Sequence, residues 1–225
     1  MKKQKRNWFF RTFDPHMWFF DIGKWTAALF LWLWIRPKRI YENGKKPKDI
    51  FKGEYIIASN HVSVTDHFAI GTAIPFRRIC NVGKANLFKG PWGWFFKITG
   101  SIRIDDNKMS TKLIRKVQDT INRGHIVCMF PEGIIEDDKE IKEFKGGAAM
   151  MAATSQADIL PIYLVKRKKW QRRIVVIGNK LKHEDLFKSS MPAKEELARV
   201  SELLMNKEKE LKKLFQKRPF LTLKY

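Results

Sequence analysis

The chain has 225 residues, enough for one ordinary domain that buries a core without disulfides or metals. Lys and Arg number 45 against 23 Asp and Glu, and the resulting charge of +22 calls for an anionic partner: nucleic acid, a membrane face or phosphate-bearing small molecules. A hydrophobic fraction of 44% excludes a disordered basic tail, and two cysteines, Cys80 and Cys128, exclude a disulfide scaffold or a Cys-rich zinc module and point to a reducing compartment.

The first fifty residues hold five of the eight tryptophans, and twelve Lys and Arg against four Asp and Glu, a local 12 − 4 = +8. The longest uncharged run there, Trp25 to Ile35, would reach roughly 16 Å as a helix, about half of a hydrocarbon core. Extending it back to Met17 admits Asp21 and Lys24, which are costly near mid-membrane. Arg36-Pro37-Lys38-Arg39 stands where a signal peptide would carry small cleavage-site residues. Residues 1–36 therefore read as a membrane-interfacial helical segment, with Trp18, Trp25, Trp32 and Trp34 as anchors at headgroup depth. A helix packed on the soluble core and a single true span are the alternatives. Residues 37–225 then form the second unit, which includes a C-terminal amphipathic helix.

Along that unit, Pro37 to Lys52 is a loop by composition. Strands are expected at Tyr55–Ala58, Ile79–Val82, Ser101–Ile104, Ile126–Phe130, Ile159–Val165 and Ile174–Ile177. Ser110 caps a helix with Leu113, Ile114, Val117 and Ile121 on one face, closed by Gly124. A short helix follows Gly146-Gly147. Pro192 to Phe215 carries Leu197, Val200, Leu204, Leu211 and Phe215 at helical spacing. Strands alternating with helices give an α/β class: a mixed, largely parallel sheet flanked by helices.

Two strands end in residues that packing does not require. After the first comes Ser59-Asn60-His61-Val62-Ser63-Val64-Thr65-Asp66. A turn leading into a helix would fold the Asp66 carboxylate onto the His61 imidazole, leaving the other ring nitrogen as a general base. Taken alone, a histidine near an acid is more often a surface or satisfied residue. After the fourth comes Phe130-Pro131-Glu132-Gly133, at the strand end where open α/β sheets place their ligands. Gly133 there permits a close backbone approach. No serine or cysteine nucleophile stands out, so a substrate hydroxyl would be the attacking group.

The pair Asn60-His61-x4-Asp66 and Phe130-Pro131-Glu132-Gly133, about seventy residues apart, resembles the glycerolipid acyltransferase family that includes the 1-acylglycerol-3-phosphate acyltransferases. Gly83-Lys84-Ala85-Asn86-Leu87-Phe88 through Gly100-Ser101-Ile102-Arg103-Ile104-Asp105 resembles the segment between those motifs, and Leu160-Pro161-Ile162 the family's fourth block. The resemblance implies direct acyl transfer from a thioester, acyl-CoA or acyl-carrier protein, to a lysophospholipid hydroxyl. It casts His61 and Asp66 as the catalytic pair. Asn60, Lys84, Gly100, Arg103, Pro131, Glu132 and Gly133 become substrate-binding residues, with Glu132 orienting the acceptor and backbone N–H groups near Gly133 as oxyanion donors. No cofactor beyond the co-substrate and no metal is implied.

Two departures touch the acceptor's phosphate. Gly133-Ile134-Ile135-Glu136 stands where the family commonly has Gly-Thr-Arg-Ser, and Asp106 where it commonly has arginine. Lys84, Arg103, Lys139 or Lys145 would have to supply the missing charge. From Ile159 to Lys182 eight Lys and Arg occur without an acid. That stretch would dock a carrier protein, CoA phosphates or a bilayer, or simply be solvated. The expected partners are an anionic membrane surface, the thioester donor and the lysolipid, at the cytoplasmic face of a membrane. The rival class is a basic nucleic-acid- or membrane-binding module without catalysis. The aromatics cluster in one apolar run and do not interleave with basic residues, which argues against nucleic acid.

Overall fold

The computed structural model describes residues 33–44, 49–74, 77–90, 93–105, 110–135, 141–166, 171–187 and 192–217. Most of the expected N-terminal segment, with Trp18, Trp25 and Trp32, lies outside the described residues, as do Asp106, Glu136 and Lys139.

Seven strands form one sheet: β1 Lys38–Tyr41, β2 Tyr55–Ser59, β3 Ile79–Lys84, β4 Ile102–Ile104, β5 Ile126–Met129, β6 Asp158–Val165 and β7 Ile174–Ile177, in the order β1-β7-β6-β2-β5-β3-β4. Strands β6, β2, β5, β3 and β4 run parallel, while β7 pairs antiparallel with β6 and carries β1 parallel to itself. The mixed, largely parallel sheet flanked by helices is the class the alternating pattern predicts.

One strand was hidden in the sequence. Lys38-Arg39-Ile40-Tyr41 falls in the expected loop, yet pairs in register with Ile174–Ile177. It is an edge strand in which Ile40 alone is buried, so its hydrophobic signal is a single residue.

The helices are α1 Asp66–Ala73, α2 Gly93–Ile98, α3 Thr111–Asn122, α4 Gly147–Ser155, α5 His183–Leu186 and α6 Ala193–Gln216. The Ser110 hydroxyl caps α3 by accepting the Leu113 N–H, and Gly124 turns the chain at φ 82° beyond its end. The period-two alternation of the strands divides the core. Tyr55, Ile57, Ile126, Cys128 and Ile162 face α1, packing on Ala69, Ile70 and Ala73. Ile56, Ala58, Val127 and Ile159 face the other way, onto α3, α4 and the Val200 and Leu204 stripe of α6. The central strands are buried on both faces, which is why they read as unbroken apolar runs. Cys80 and Cys128 are free thiols in this core, and burial pushes the Cys128 thiol up.

Where α6 crosses the sheet, a Cβ on Gly178 would meet Pro161 Cγ at 2.9 Å and Leu211 Cδ1 at 3.2 Å. Glycine there lets the helix settle close against β6 and β7. No helix among the described residues is long and apolar enough to cross a membrane.

Candidate active site

Strands β2 and β5 are neighbours and run in the same direction, so the segments leaving their carboxyl ends emerge side by side. Those segments carry the two motifs. The backbone N–H of His61 donates to Glu132 Oε2 at 3.3 Å, across 71 residues of chain. Phe130 lies against the His61 imidazole, with ring centroids 4.1 Å apart and planes 15° from parallel.

The loop from His61 to Asp66 wraps around one carboxylate oxygen. Asp66 Oδ2 accepts the N–H groups of Val62 and Ser63, each at 2.7 Å, and faces His61 Nδ1 at 2.9 Å. Asp66 is 1% exposed and sits in the first turn of α1, where the helix dipole favours a negative charge. A carboxylate that already accepts two backbone donors is acceptor-only, so the ring proton resides on Nδ1 and the lone pair on Nε2. The His61 side chain is 20% exposed, so the ring is neither walled off nor free to swing. These are the requirements for a general base with a fixed tautomer.

Asn60 has a different environment from the one its motif suggests. Its Oδ1 accepts the Leu164 N–H at 2.7 Å and its Nδ2 donates to the Leu164 carbonyl at 2.9 Å. The β2–β6 ladder ends at Ser59 and Ile162, and the Asn60 amide continues it by one step in place of backbone. The chain is thereby released from the sheet at the residue before His61. Buried and doubly bonded, Asn60 faces the sheet and not a cleft.

Glu132 is 6% exposed, with its carboxylate turned to the His61 amide. Of the backbone N–H groups near Gly133, that of Gly133 itself donates to the Phe130 carbonyl at 3.0 Å. Gly133 has φ 72°, and a Cβ there would come within 3.3 Å of Lys145 Nζ. Lys145 is further tied to the motif by its N–H, which donates to the Pro131 carbonyl at 3.2 Å. A lysine therefore lies on the Pro131–Gly133 turn, whereas Ile134 and Ile135 are exposed apolar residues.

Lys84 is exposed at the carboxyl end of β3, two strands from β2. Gly100 and Arg103 line a separate pocket of about 470 Å³ with Arg78, Lys97, Lys116 and Arg123. It occupies the side of β3 that β4 leaves uncovered, because β4 begins only opposite Val82. Neither His61, Asp66 nor Glu132 borders it. Arg103 is also engaged with Asp105 at 2.6 Å.

Three contributors carried no local signal. Phe130 reads as the end of a strand. Arg173, within the basic stretch, donates to Ser63 Oγ at 3.2 Å and Thr65 Oγ1 at 2.8 Å, pinning the His61–Asp66 loop from outside. His67, next to Asp66, is half-buried, and burial pushes its pKa down to about 4 against the opposing charge of Asp66, so the ring stays neutral beside the site. Among the described residues no group of three His, Cys, Asp or Glu is placed to hold a metal.

An imidazole oriented by a buried carboxylate, at the strand ends of an α/β sheet, fits transfer of a group directly between two substrates. The model of the Acyltransferase family matches residues 38–165, more than half of the sequence, and the chain belongs to that family. It is 27% identical over 183 residues to the 1-acyl-sn-glycerol-3-phosphate acyltransferase of Bacillus subtilis (strain 168), covering 77% of this chain and 87% of that protein. It is 28% identical over 114 residues to the human 1-acyl-sn-glycerol-3-phosphate acyltransferase beta, of which it spans 40%. The crystal structure of the 1-acyl-sn-glycerophosphate (LPA) acyltransferase PlsC from Thermotoga maritima has a similar fold, with a TM-score of 0.62 over 92% of this chain and 86% of that one, at 16% identity. The protein is an acyltransferase.

Proposed function

We propose that the protein transfers a fatty acyl group from acyl-CoA or acyl-carrier protein to the free hydroxyl of a lysophospholipid of the 1-acylglycerol-3-phosphate class. The observation that carries the reading is the His61–Asp66 contact at 2.9 Å, on a loop that the Glu132 carboxylate holds through the His61 amide. His61 Nε2 removes the acceptor's hydroxyl proton, and the resulting oxygen nucleophile attacks the thioester carbonyl. Asp66 stabilises the imidazolium through Nδ1–H. The tetrahedral intermediate collapses with loss of the thiolate, which takes the proton back from Nε2. A diacyl lipid and a free thiol leave, and the base is restored.

The names of the relatives support a phosphate-bearing acceptor, and Lys145 at the Pro131–Gly133 turn is the cation we assign to it. It stands in for the arginine that Ile135 displaces. We assign Lys84, exposed at the same edge of the sheet, to the donor's phosphates.

We further propose that the reaction runs at the cytoplasmic face of a membrane. The exposed large hydrophobic residues among the described ones are Leu33, Trp34, Val64, Leu87, Trp94, Ile134 and Ile135. Val64, Ile134 and Ile135 follow the carboxyl ends of β2 and β5, and Leu87 and Trp94 follow that of β3. Trp34, 61% exposed, precedes β1, which runs opposite to β2 and so begins at that same edge. An apolar rim on the edge that bears His61, with Lys84 and Lys145 among it, suits an anionic bilayer from which a lysolipid enters.

Lipid mass spectrometry after expression in a host deficient in its own lysolipid acyltransferase tests the reading. Wild type should restore a diacyl phospholipid and His61→Ala should not. Equal restoration by both, or by neither, would defeat it.

A further inference from the structure

Two residues of the segment between the motifs, Gly100 and Arg103, line the cavity of about 470 Å³ beside β3 and not the His61 site. Its volume lies in the roughly 300–1,000 Å³ range of small-ligand sites. Strand β4 pairs with β3 only from Val82 onward, which leaves the Ile79–Asn81 edge open to it. The walls are basic. Arg78, directly before β3, is 2% exposed. Lys97 stands in the last turn of α2, and Lys116, Thr120 and Arg123 line up on one face at the end of α3, beside Asp119. Arg103 meets Asp105 through Nε. Setting that pair aside, four cations face one acid, a local 4 − 1 = +3. On an open surface such cations would be ordinary solvated groups. Around a concavity that includes a buried guanidinium they raise one another's energy, and a bound anion relieves the repulsion. Half-buried Phe88 contributes an apolar wall.

We propose that this cavity binds an organic phosphate, a phosphomonoester or diphosphate held by Arg78, Lys97, Lys116 and Arg123, with its carbon skeleton against Phe88. Guanidinium groups match phosphate oxygens two at a time, and several cations suit a group that carries more than one negative charge. The site is separate from the acyl-transfer centre. Arg78 and His125 enter β3 and β5 at their amino ends, whereas His61 and Phe130 stand at the carboxyl ends of β2 and β5. Five residues of extended chain, from His125 to Phe130, span roughly 16 Å. The acceptor phosphate assigned to Lys145 and this one are therefore different groups. Two sources carry the same chemistry: the nucleotide end of a soluble ligand such as CoA, and the headgroup of a phospholipid.

The test is a binding measurement that needs no turnover, so its result stands whether or not the acyl-transfer reading does. Titration calorimetry on the full chain, in detergent at physiological salt, would use inorganic pyrophosphate as the probe. Lys116→Glu/Arg123→Glu should weaken binding roughly tenfold or more, and Lys116→Gln/Arg123→Gln by an intermediate factor. Lys194→Glu/Lys209→Glu makes the same change of charge on exposed α6 residues outside the cavity and should stay within about twofold of wild type. Circular dichroism checks that each variant keeps native secondary structure. No pyrophosphate binding in wild type, or equal weakening by the two Glu pairs, would overturn the proposal. CoA against dephospho-CoA, and cosedimentation with vesicles containing phosphatidic acid, distinguish the two sources. A soluble source gives tighter binding of CoA than of its dephospho form, a difference the cavity variants lose. A headgroup source gives vesicle binding that the cavity variants lose and the α6 variant keeps. If the cavity variants alter neither, the proposal fails.

Discussion

Phe130 stacks on the His61 imidazole at a centroid separation of 4.1 Å, so the two motifs meet ring to ring as well as through the Glu132 hydrogen bond. The stack fixes the plane of the base, while Asp66 fixes its rotation about Nδ1. Phe130→Ala should therefore leave a folded protein whose kcat falls about tenfold, because the ring gains freedom that the reaction must remove. Phe130→Tyr should retain most of the activity, and the two variants are compared by steady-state kinetics. Equal kcat in Phe130→Ala and wild type would show the stack to be incidental.

His61→Ala should lower turnover by about 10²–10⁴-fold, the usual contribution of a positioned base. Asp66→Asn should approach that loss and also weaken the fold, because Val62 and Ser63 direct their N–H groups at the same oxygen. Initial rates of thioester consumption, together with thermal melts, separate the two effects. His61→Ala should melt near the wild-type temperature and Asp66→Asn below it.

Asn60→Ala removes the amide that pairs with both backbone groups of Leu164. Two buried backbone groups lose their partners, a cost of roughly 2–3 kcal/mol and a fall in Tm of about 5–10 °C. Asn60→Asp should be intermediate, since it accepts from Leu164 N–H but cannot donate to the carbonyl. Calorimetry reads both. A melt unchanged in Asn60→Ala would assign the residue to substrate instead.

The acid limb of stability should carry the signature of His67. Burial lowers its folded pKa to about 4 from 6.5, so as pH falls through 6.5 the unfolded chain takes up a proton that the folded one refuses. Stability present above pH 6.5 is thus lost between about 6.5 and 4, by up to roughly 3 kcal/mol. In His67→Gln that stretch of the Tm-versus-pH curve should flatten, and an unaltered slope would contradict the assignment.

Replacing Ile134 and Ile135 together by Asp should weaken binding to vesicles containing anionic lipid while leaving thioester turnover on a detergent-dispersed acceptor intact. Deleting residues 1–36 should weaken vesicle binding further. Cosedimentation measures both, and undiminished binding of the double Asp variant would remove the apolar rim from the membrane contact.

The contact between His61 and Asp66 was legible because it is local: the two share one loop, and their spacing folds the acid onto the ring. The helices of the second half were legible for a similar reason, with the Ser110 cap and the Gly124 turn written beside an apolar stripe. Partners separated by long stretches of chain were not. The Asn60–Leu164 pairing spans 104 residues, and Arg173 reaches Ser63 across 110, distances over which periodicity carries no information. Strand β1 hid because an edge needs only one buried side chain.

The clasp between Asn60 and Leu164 also bears on how the molecule is made. The histidine leaves the ribosome early, yet the backbone that anchors the residue before it is synthesised 104 positions later, near the end of β6. Until then the loop has β5 on one side and nothing to clasp on the other. A nascent chain bearing the whole His61–Asp66 motif should therefore remain inert, and competence should appear only once the sixth strand has been delivered and docked.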